Sequence, residues 1–251
     1  MPLLVAHNLK KHFNGLVALD QVDLEVEAGR VHSVIGPNGA GKSTLLNVLT
    51  GRLQPDSGSI VFDGHKLDGL KPHEISQRGV ARVFQSPEIF PELNVLDNVT
   101  IGALAARDGS FRLNLFRHPR HQADACQEAE RALAAVGMED QARKEAMHLS
   151  RGDKRRLELA VCLACRPRLL LLDEPTAGMS PSETHATAEL LRDIAQRGLT
   201  MVIIEHDMNV VFALSQRITV LHQGRVIADG TPEAVRADEA VHEAYLGGIT
   251  L

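Results

Sequence analysis

The chain has 251 residues, of which 44% are hydrophobic and 24% charged, and its formal net charge is −5. This composition is typical of a soluble globular protein with a sizeable core, and the mild acidity argues against a nucleic-acid binder that depends on overall charge. No apolar run approaches the roughly 20 residues that a membrane span needs, and the first residues do not have the pattern of an export signal.

The first part of the chain is predicted to be mainly β-structure. Residues 3–9 and 22–26 alternate apolar and polar side chains, which is typical of half-exposed antiparallel strands. Val31–Ile35 is expected to enter the core of a sheet, and residues 60–63 add another strand between Gly58 and Gly64.

A glycine-rich segment follows Val31–Ile35 and matches the pattern G-x-x-x-x-G-K-[ST]. A strand precedes it and residues 45–49 continue as a helix, so its backbone N–H groups are expected to cradle phosphate oxygens at a helix N-terminus. Lys42 is expected to reach the β- and γ-phosphates, and the hydroxyl of Ser43 to bind Mg²⁺. The predicted nucleotide-binding residues are Gly36, Pro37, Asn38, Gly39, Ala40, Gly41, Lys42, Ser43 and Thr44.

The middle of the chain is predicted to be helical. A strand at residues 80–84 precedes Gln85, and strand signals then disappear between residues 88 and 165. Helical apolar spacing is present at residues 95–106, 123–136 and 154–164. We therefore expect residues 88–165 to be a helical subdomain inserted into an α/β core.

Strands and helices alternate again after this segment. A buried strand at 169–172, a helix at 182–196 and a strand at 201–205 predict right-handed crossovers and a parallel sheet. Residues 218–221 and 226–228 flank a Gln-Gly pair that predicts a hairpin. Thr231 and Pro232 are an N-cap and a first helical residue, and residues 231–251 are expected to form a helical tail.

The cysteines favour neither a zinc site nor a disulfide framework. Cys162 and Cys165 are spaced C-x-x-C, but they lie on a predicted helix, and Cys126 offers no second pair. Reduced cysteines in a cytosolic protein are expected, and a redox or metal role for the pair is the alternative.

Polar residues follow several of the predicted strands. Asp173 and Glu174 end the run 169–172, while Gln85 and His206 follow two other strands. The carboxyl ends of parallel strands meet at one edge of a sheet, so these side chains are expected to face Lys42. Asp173 fits the residue that holds Mg²⁺ in a P-loop NTPase, and Glu174 is placed to polarise an attacking water.

The order of these motifs resembles the nucleotide-binding subunit of an ABC transporter over essentially the whole chain. The motifs are GPNGAGKST, Gln85, LSRGDKRRLELA, LLLLDEP and a histidine within IIEHDM. The resemblance implies that Asp173 is the Walker B aspartate and Glu174 the catalytic base. It also implies that Gln85 is the Q-loop residue near Mg²⁺, and that His206 contacts the γ-phosphate.

The resemblance also implies a head-to-tail dimer with two ATP molecules at its interface. Ser150 and Gly152 would bind the ATP held by the opposite subunit. Arg151 and Lys154 depart from the usual Leu-Ser-Gly-Gly-Gln signature, and a bound phosphate is a hypothetical counterion for Lys154. Phe13 would stack on adenine, and an ordinary core phenylalanine is the alternative.

The end of the chain narrows the resemblance to the larger ATPase subunit of branched-chain amino acid importers. The similar segments are EPTAGMSP from Glu174, IIEHDM, EAYLG from Glu243 and the insertion at 107–121. The insertion carries arginines and phenylalanines and lies either against membrane or permease or in solvent. Residues 86–93 are either an apolar docking surface for a permease helix or an ordinary core contact.

We therefore expect an α/β P-loop ATPase with a mainly parallel core sheet, an antiparallel N-terminal β subdomain and an inserted helical subdomain, all in one nucleotide-binding domain over residues 1–251. The expected function is ATP hydrolysis that powers amino-acid import, with ATP and Mg²⁺ as cofactors. The expected partners are a second ATPase subunit, identical or related, integral-membrane permease subunits and, indirectly, a solute-binding protein. The expected location is the cytoplasm, at the inner face of the membrane, without nucleic acid.

Three alternatives remain open at this stage. The first is the same ATPase in another ABC system, such as urea or amide uptake or lipopolysaccharide export. The second is a soluble ABC protein acting on ribosomes or DNA, although such proteins usually fuse two cassettes or insert a long coiled coil. The third is a small-molecule P-loop kinase, which would not need the Ser150 turn together with His206. The transported substrate is not encoded in these motifs.

Overall fold

The computed structural model describes residues 2–108 and 119–246, which form two β-sheets and the helices packed around them. The arginine- and phenylalanine-rich part of the 107–121 insertion lies outside the described residues, so its placement stays a prediction. The strands are β1 (Pro2–Phe13), β2 (Leu16–Glu27), β3 (Val31–Ile35), β4 (Ser57–Phe62), β5 (His65–Lys66), β6 (Val80–Val83), β7 (Leu169–Asp173), β8 (Thr200–Ile204), β9 (Arg217–His222) and β10 (Arg225–Gly230).

The helices have the boundaries that their capping residues and the breaks in apolar spacing set. They are α1 (Lys42–Leu49), α2 (Pro72–Gln77), α3 (Val95–Asp108), α4 (Pro119–Val136), α5 (Arg151–Ala164), α6 (Pro181–Gln196), α7 (Met208–Leu214), α8 (Pro232–Arg236) and α9 (Glu239–Leu246). Within the described part of the chain, no helix is both long enough and apolar enough to cross a membrane.

The N-terminal sheet is antiparallel, with the order β2-β1-β4-β5. Its alternating sequence turns one set of side chains inward, and Leu4, Leu9, Leu24 and Val26 are at most 1% exposed. The predicted antiparallel strands are therefore confirmed. Strand β5 was not predicted because its two residues are too short for a periodic pattern.

The core sheet has the order β10-β9-β3-β8-β7-β6, and all its neighbours are parallel except the β9–β10 hairpin. The expectation of a mainly parallel core sheet is confirmed. All residues of β3, β7 and β8 are buried, as expected for strands that are covered on both faces. The carboxyl ends of β3, β6, β7 and β8 consequently lie along one edge.

Helix α1 lies between the two sheets and holds the glycine-rich loop at its N-terminus. Leu45, Leu46 and Leu49 of this helix are at most 1% exposed and join the core between the sheets. The loop needs glycine because the chain approaches it closely. Gly41 has φ of 105°, and a Cβ there would lie 2.4 Å from the carbonyl oxygen of Ala18 in β2.

Helices α3, α4 and α5 pack on one another between β6 and β7 in sequence. Helix α5 begins three residues earlier than the predicted 154–164, because Ser150 caps it by accepting a hydrogen bond from the Asp153 amide at 3.1 Å. The cysteines are free, and burial raises the pKa of the Cys165 thiol to about 11. No group of three or more His, Cys, Asp or Glu side chains suited to a metal occurs among the residues described.

The short helices α2, α7 and α9 were missed by the sequence analysis. Helix α7 begins directly after His206, with Asp207 as its N-cap. The predicted strand 201–205 ends one residue early at Ile204, because the buried Glu205 leaves the ladder and bonds to backbone amides instead. The predicted helix start at Thr231 is observed in α8, where the threonine hydroxyl accepts the Ala234 amide.

Candidate functional site

Lys42 is held inside the glycine-rich loop. Its ammonium group donates to the carbonyl oxygens of Gly36 at 2.6 Å and Pro37 at 3.0 Å, and the residue is only 6% exposed. Burial lowers the pKa of Lys42, and the negative charges of Glu174 and Asp173 act in the opposite direction. The loop therefore has a lysine close to two carboxylates, at the N-terminus of α1, where anions are favoured.

Glu174 receives two polar side chains from neighbouring segments. The Gln85 amide nitrogen donates to Glu174 Oε2 at 2.8 Å, and His206 Nε2 lies 2.8 Å from Glu174 Oε1. These residues are 89 and 32 positions from Glu174 along the chain. The structure thus brings together the residues that the sequence analysis placed at the ends of β6, β7 and β8.

The backbone turns sharply at Glu174. This residue has φ of 50°, in the left-handed region that is unfavourable for a side chain of this size, and its amide donates to the Ile204 carbonyl at 2.9 Å. The buried carboxylate of Glu205 accepts the amides of Thr176 and His206, each at 2.8 Å. Glu205 therefore joins the loop after Glu174 to the loop that carries His206, a role that the sequence pattern did not indicate.

Asp173 is bound by an arginine that the sequence analysis did not single out. Arg82 Nη2 donates to Asp173 Oδ2 at 2.7 Å, and Arg82 Nη1 donates to Asn47 in α1 at 2.7 Å. The side chains of Arg82 and Asp173 are 8% and 11% exposed. Arg82 therefore links the strand that ends in Asp173 to the helix that begins at Lys42. An arginine inside a β-strand predicted from 80 to 84 was the only signal for it.

The Ser150 turn forms the beginning of α5. The Ser150 hydroxyl donates to the Asp153 carboxylate at 2.8 Å, and the Arg151 guanidinium packs on Gly178, where an added Cβ would lie 3.0 Å from Arg151 Nη1. Arg151 thus contacts the loop that follows Glu174. In the described part of the chain, no hydrogen bond or ion pair joins Ser150 or Gly152 to Lys42, Asp173 or Glu174. The two predicted halves of an ATP site are therefore separate within one chain.

The turn between β1 and β2 exposes an apolar surface beside the glycine-rich loop. Phe13 is 39% exposed, and Leu16 and Val17 next to it are 69% and 43% exposed. Phe13 is therefore not a core residue, which was the alternative to its contact with adenine. The same hairpin passes close to Gly41 through Ala18. Leu16 and Val17 were missed because isolated apolar residues near a turn give no periodic signal.

A buried carboxylate on α5 lies next to the segment of Gln85. Glu158 is 3% exposed, and its Oε1 accepts the amides of Phe84 at 3.0 Å and Glu88 at 3.4 Å. Burial raises the pKa of Glu158 from 4.5 to about 7, with a further upward effect of the Glu88 charge, while the two amides and the positive charge of Arg155 oppose the shift. This residue was also missed by the sequence analysis.

We predict that Arg82→Met lowers the free energy of unfolding by about 3 kcal/mol, because it leaves the buried Asp173 carboxylate without its partner. The control is Arg168→Met, which removes the exposed ion pair between Arg168 and Asp63 and is expected to change stability by less than about 1 kcal/mol. Urea unfolding of both variants checks this. Equal effects of the two substitutions would contradict it.

A second prediction concerns pH. The folded-state pKa of Glu158, about 7, lies above its ordinary value of 4.5, so its stabilising contribution is complete below pH 4.5 and is lost as the pH rises to 7. Glu158→Gln retains the acceptor oxygen without the ionisation. Between pH 5 and pH 8 the wild type is expected to lose about 3 kcal/mol of stability relative to this variant, as measured by urea unfolding. A difference that does not change over this range would refute the assignment.

Comparison with known proteins identifies the family. Residues 19–177 match the family described as ABC transporter, and residues 225–249 match the one described as branched-chain amino acid ATP-binding cassette transporter. The high-affinity branched-chain amino acid transport ATP-binding protein BraF of Pseudomonas aeruginosa is 40% identical over 250 residues, which cover 98% of each chain.

Solved structures have the same fold. The ADP conformation of MJ1267, an ATP-binding cassette of an ABC transporter, is 32% identical, with a TM-score of 0.86 over 99% of this chain and 100% of that one. A dimeric post-hydrolysis structure of the cassette MJ0796, bound to ADP and Pi, is 26% identical, with a TM-score of 0.76 over 91% of this chain and 98% of that one. The resemblance found in the motifs is confirmed, and the chain belongs to the ATP-binding cassette family of ABC transporter subunits.

Proposed function

We propose that this chain hydrolyses ATP at the Glu174 site and powers an importer of branched-chain amino acids. The observation that carries the hydrolytic assignment is the convergence of Gln85 and His206 on the Glu174 carboxylate. The name of the relative BraF and the family match of residues 225–249 support the amino-acid substrate.

Glu174 is the group proposed to orient the attacking water. A carboxylate that is held by two side chains from different segments has a defined direction, which is what a general base needs. His206 is proposed to leave Glu174 for the γ-phosphate when ATP is bound, as a donor from its imidazole. The strained backbone at Glu174 supports a functional role, since such conformations cluster at active sites.

Lys42 and the backbone amides of residues 36–44 are proposed to bind the triphosphate. The bonds from the Lys42 ammonium to Gly36 and Pro37 keep the charge inside the loop, and phosphate oxygens would replace these carbonyl acceptors. The positive charge then offsets the negative charge that develops on the transferred phosphoryl group. Exposed Phe13 is proposed to stack on the adenine.

The residues present fit a bound Mg²⁺. Ser43, Asp173 and Gln85 offer a hydroxyl, a carboxylate and an amide oxygen, which are the hard oxygen ligands that this ion prefers. Arg82 occupies one oxygen of Asp173, and the second oxygen is the proposed ligand. The ion supplies charge neutralisation between the phosphates when it is bound. Arg82 orients the Asp173 carboxylate for this contact.

The Ser150 turn is proposed to act on the ATP of a second subunit. Ser150 and Gly152 do not reach Glu174 within one chain, and a dimer like that of MJ0796 would supply the opposite half of each site. The proposed further partners are permease subunits, which would hold the chain at the cytoplasmic face of the membrane, and indirectly a solute-binding protein. Exposed Phe90 and Met147, at 53% and 45%, support a docking surface at residues 86–93.

Glu174→Gln is predicted to bind ATP with an affinity within about threefold of wild type and to lower kcat by at least about 100-fold. The substitution keeps the size of the side chain and removes its basicity. Equilibrium binding and phosphate release measure the two quantities. The control is Glu139→Gln at an exposed position outside the site, with unchanged turnover. Near-wild-type turnover of Glu174→Gln would remove Glu174 from this role.

The substrate is tested in the assembled transporter. Co-purified permease subunits and the solute-binding protein are reconstituted in vesicles with this chain, and ATP hydrolysis is measured with leucine, isoleucine, valine or urea. We expect the branched-chain amino acids to raise the rate and urea to leave it unchanged. Stimulation by urea alone would place the chain in a different uptake system while leaving its ATPase assignment intact.

A further inference from the structure

One face of α5 contacts the backbone on both sides of Gln85. Arg155, Glu158 and Cys162 are spaced i, i+3 and i+7, so their side chains share one face of the helix. They bond to the backbone at positions 82, 84 and 88 of the segment that contains Gln85. The helix therefore holds the backbone of this segment rather than its side chains.

Glu158 makes the shortest of these contacts. A single oxygen, Oε1, accepts the Phe84 amide at 3.0 Å and the Glu88 amide at 3.4 Å, so one carboxylate spans the residues between them. Arg155 Nη1 donates to the Phe84 carbonyl at 3.4 Å. The ring of Phe84 lies 4.1 Å from the Arg52 guanidinium and 4.8 Å from that of Arg82, measured from the ring centre. Phe84 is thus fixed through its amide, carbonyl and ring immediately before Gln85.

Stability alone does not account for this arrangement. Glu158 Oε2 and Arg155 Nη2 are buried without hydrogen-bond partners among the described residues, and an unsatisfied buried polar atom costs about 1–3 kcal/mol. An apolar residue of similar length at position 158 would avoid this cost, as replacements of buried charged groups often do. What such a residue would lose is the acceptor for the Phe84 and Glu88 amides.

We propose that Glu158 is a positioning residue for hydrolysis: it fixes the backbone on both sides of Gln85 to α5 and thereby holds the Gln85 amide on Glu174. This inference rests on the proposed function, because it takes Glu174 as the group that orients water. Glu158 itself contacts neither Glu174 nor Lys42 through a hydrogen bond or ion pair in the described residues.

The contact also couples two parts of the site. Helix α5 begins at Ser150, about 12 Å along the helix from Glu158, and a helix of this length moves as a rigid body. A shift of the Ser150 turn towards or away from the ATP of a second subunit would therefore move the acceptor that holds Phe84 and Glu88. Gln85 would follow, and the orientation of Glu174 would depend on how the partner subunit is seated.

The test is a double-mutant cycle in the full chain with Glu158→Met, Glu158→Gln and Gln85→Ala. Glu158→Met keeps the length of the side chain without the acceptor, and we expect it to lower kcat about tenfold with KM for ATP within about twofold. Glu158→Gln keeps the acceptor and should remain within about threefold of wild type. In the Gln85→Ala background, Glu158→Met should have no further effect, because Glu158 acts through Gln85.

Amide hydrogen exchange gives a readout that does not depend on activity. In the wild type, the Phe84 and Glu88 amides should exchange at least about tenfold more slowly than in an unstructured peptide. In Glu158→Met, this protection should fall while that of β3 and β7 stays unchanged. Exchange of both wild-type amides at unstructured rates would overturn the proposal, even if Glu158→Met does not fold.

The failure of this inference is distinguishable from failure of the proposed function. If Glu174→Gln is inactive but Glu158→Met lowers kcat by the same factor with and without Gln85, only the positioning role fails. A Glu158→Gln variant as slow as Glu158→Met would also refute it, because the acceptor would then be irrelevant. If Glu174→Gln retains normal turnover, the hydrolytic assignment fails first.

Discussion

The parallel pairing of β3, β8, β7 and β6 is the constraint on which the site depends. The register places Asp173 opposite Ile204, Ile204 opposite Val34 and Leu172 opposite Val83. The four strands therefore end at nearly the same level, and the residues that follow them leave the sheet at one edge. Lys42, Gln85, Glu174 and His206 belong to these segments. A one-residue slip of any strand would turn its end residue to the opposite face.

Buried charges then convert proximity into defined orientation. Arg82 holds Asp173 and also reaches α1, Glu205 joins the loops after β7 and β8, and Glu158 joins α5 to the segment of Gln85. Each of these groups lies within a protein interior where a misplaced charge is expensive, so its partners are held in narrow ranges. The site is therefore assembled from segments that are distant in sequence but connected through a few buried ionised side chains.

The elements with strong local patterns were predictable from the sequence. The alternation in β1 and β2, the apolar run of β7 and the spacing in α3 to α5 all follow from the side chains of each segment, and their observed positions agree with the expectations. Short elements such as β5, α2 and α7 were missed because their few residues carry no periodicity. The end of β8 was misplaced because Glu205 bonds outside the ladder, which depends on Thr176 rather than on its sequence neighbours.

The sequence by itself determined the nucleotide loop, the polar residues at strand ends and the family, because these are carried by residue types at fixed local spacing. Only the tertiary structure decided that Gln85 and His206 meet on Glu174, that Arg82 occupies Asp173 and that Glu158 grips the backbone around Gln85. The Arg82–Asp173 and Glu158–Phe84 contacts join residues 91 and 74 positions apart. Contacts of this range depend on strand order and helix packing, which one segment's pattern does not record.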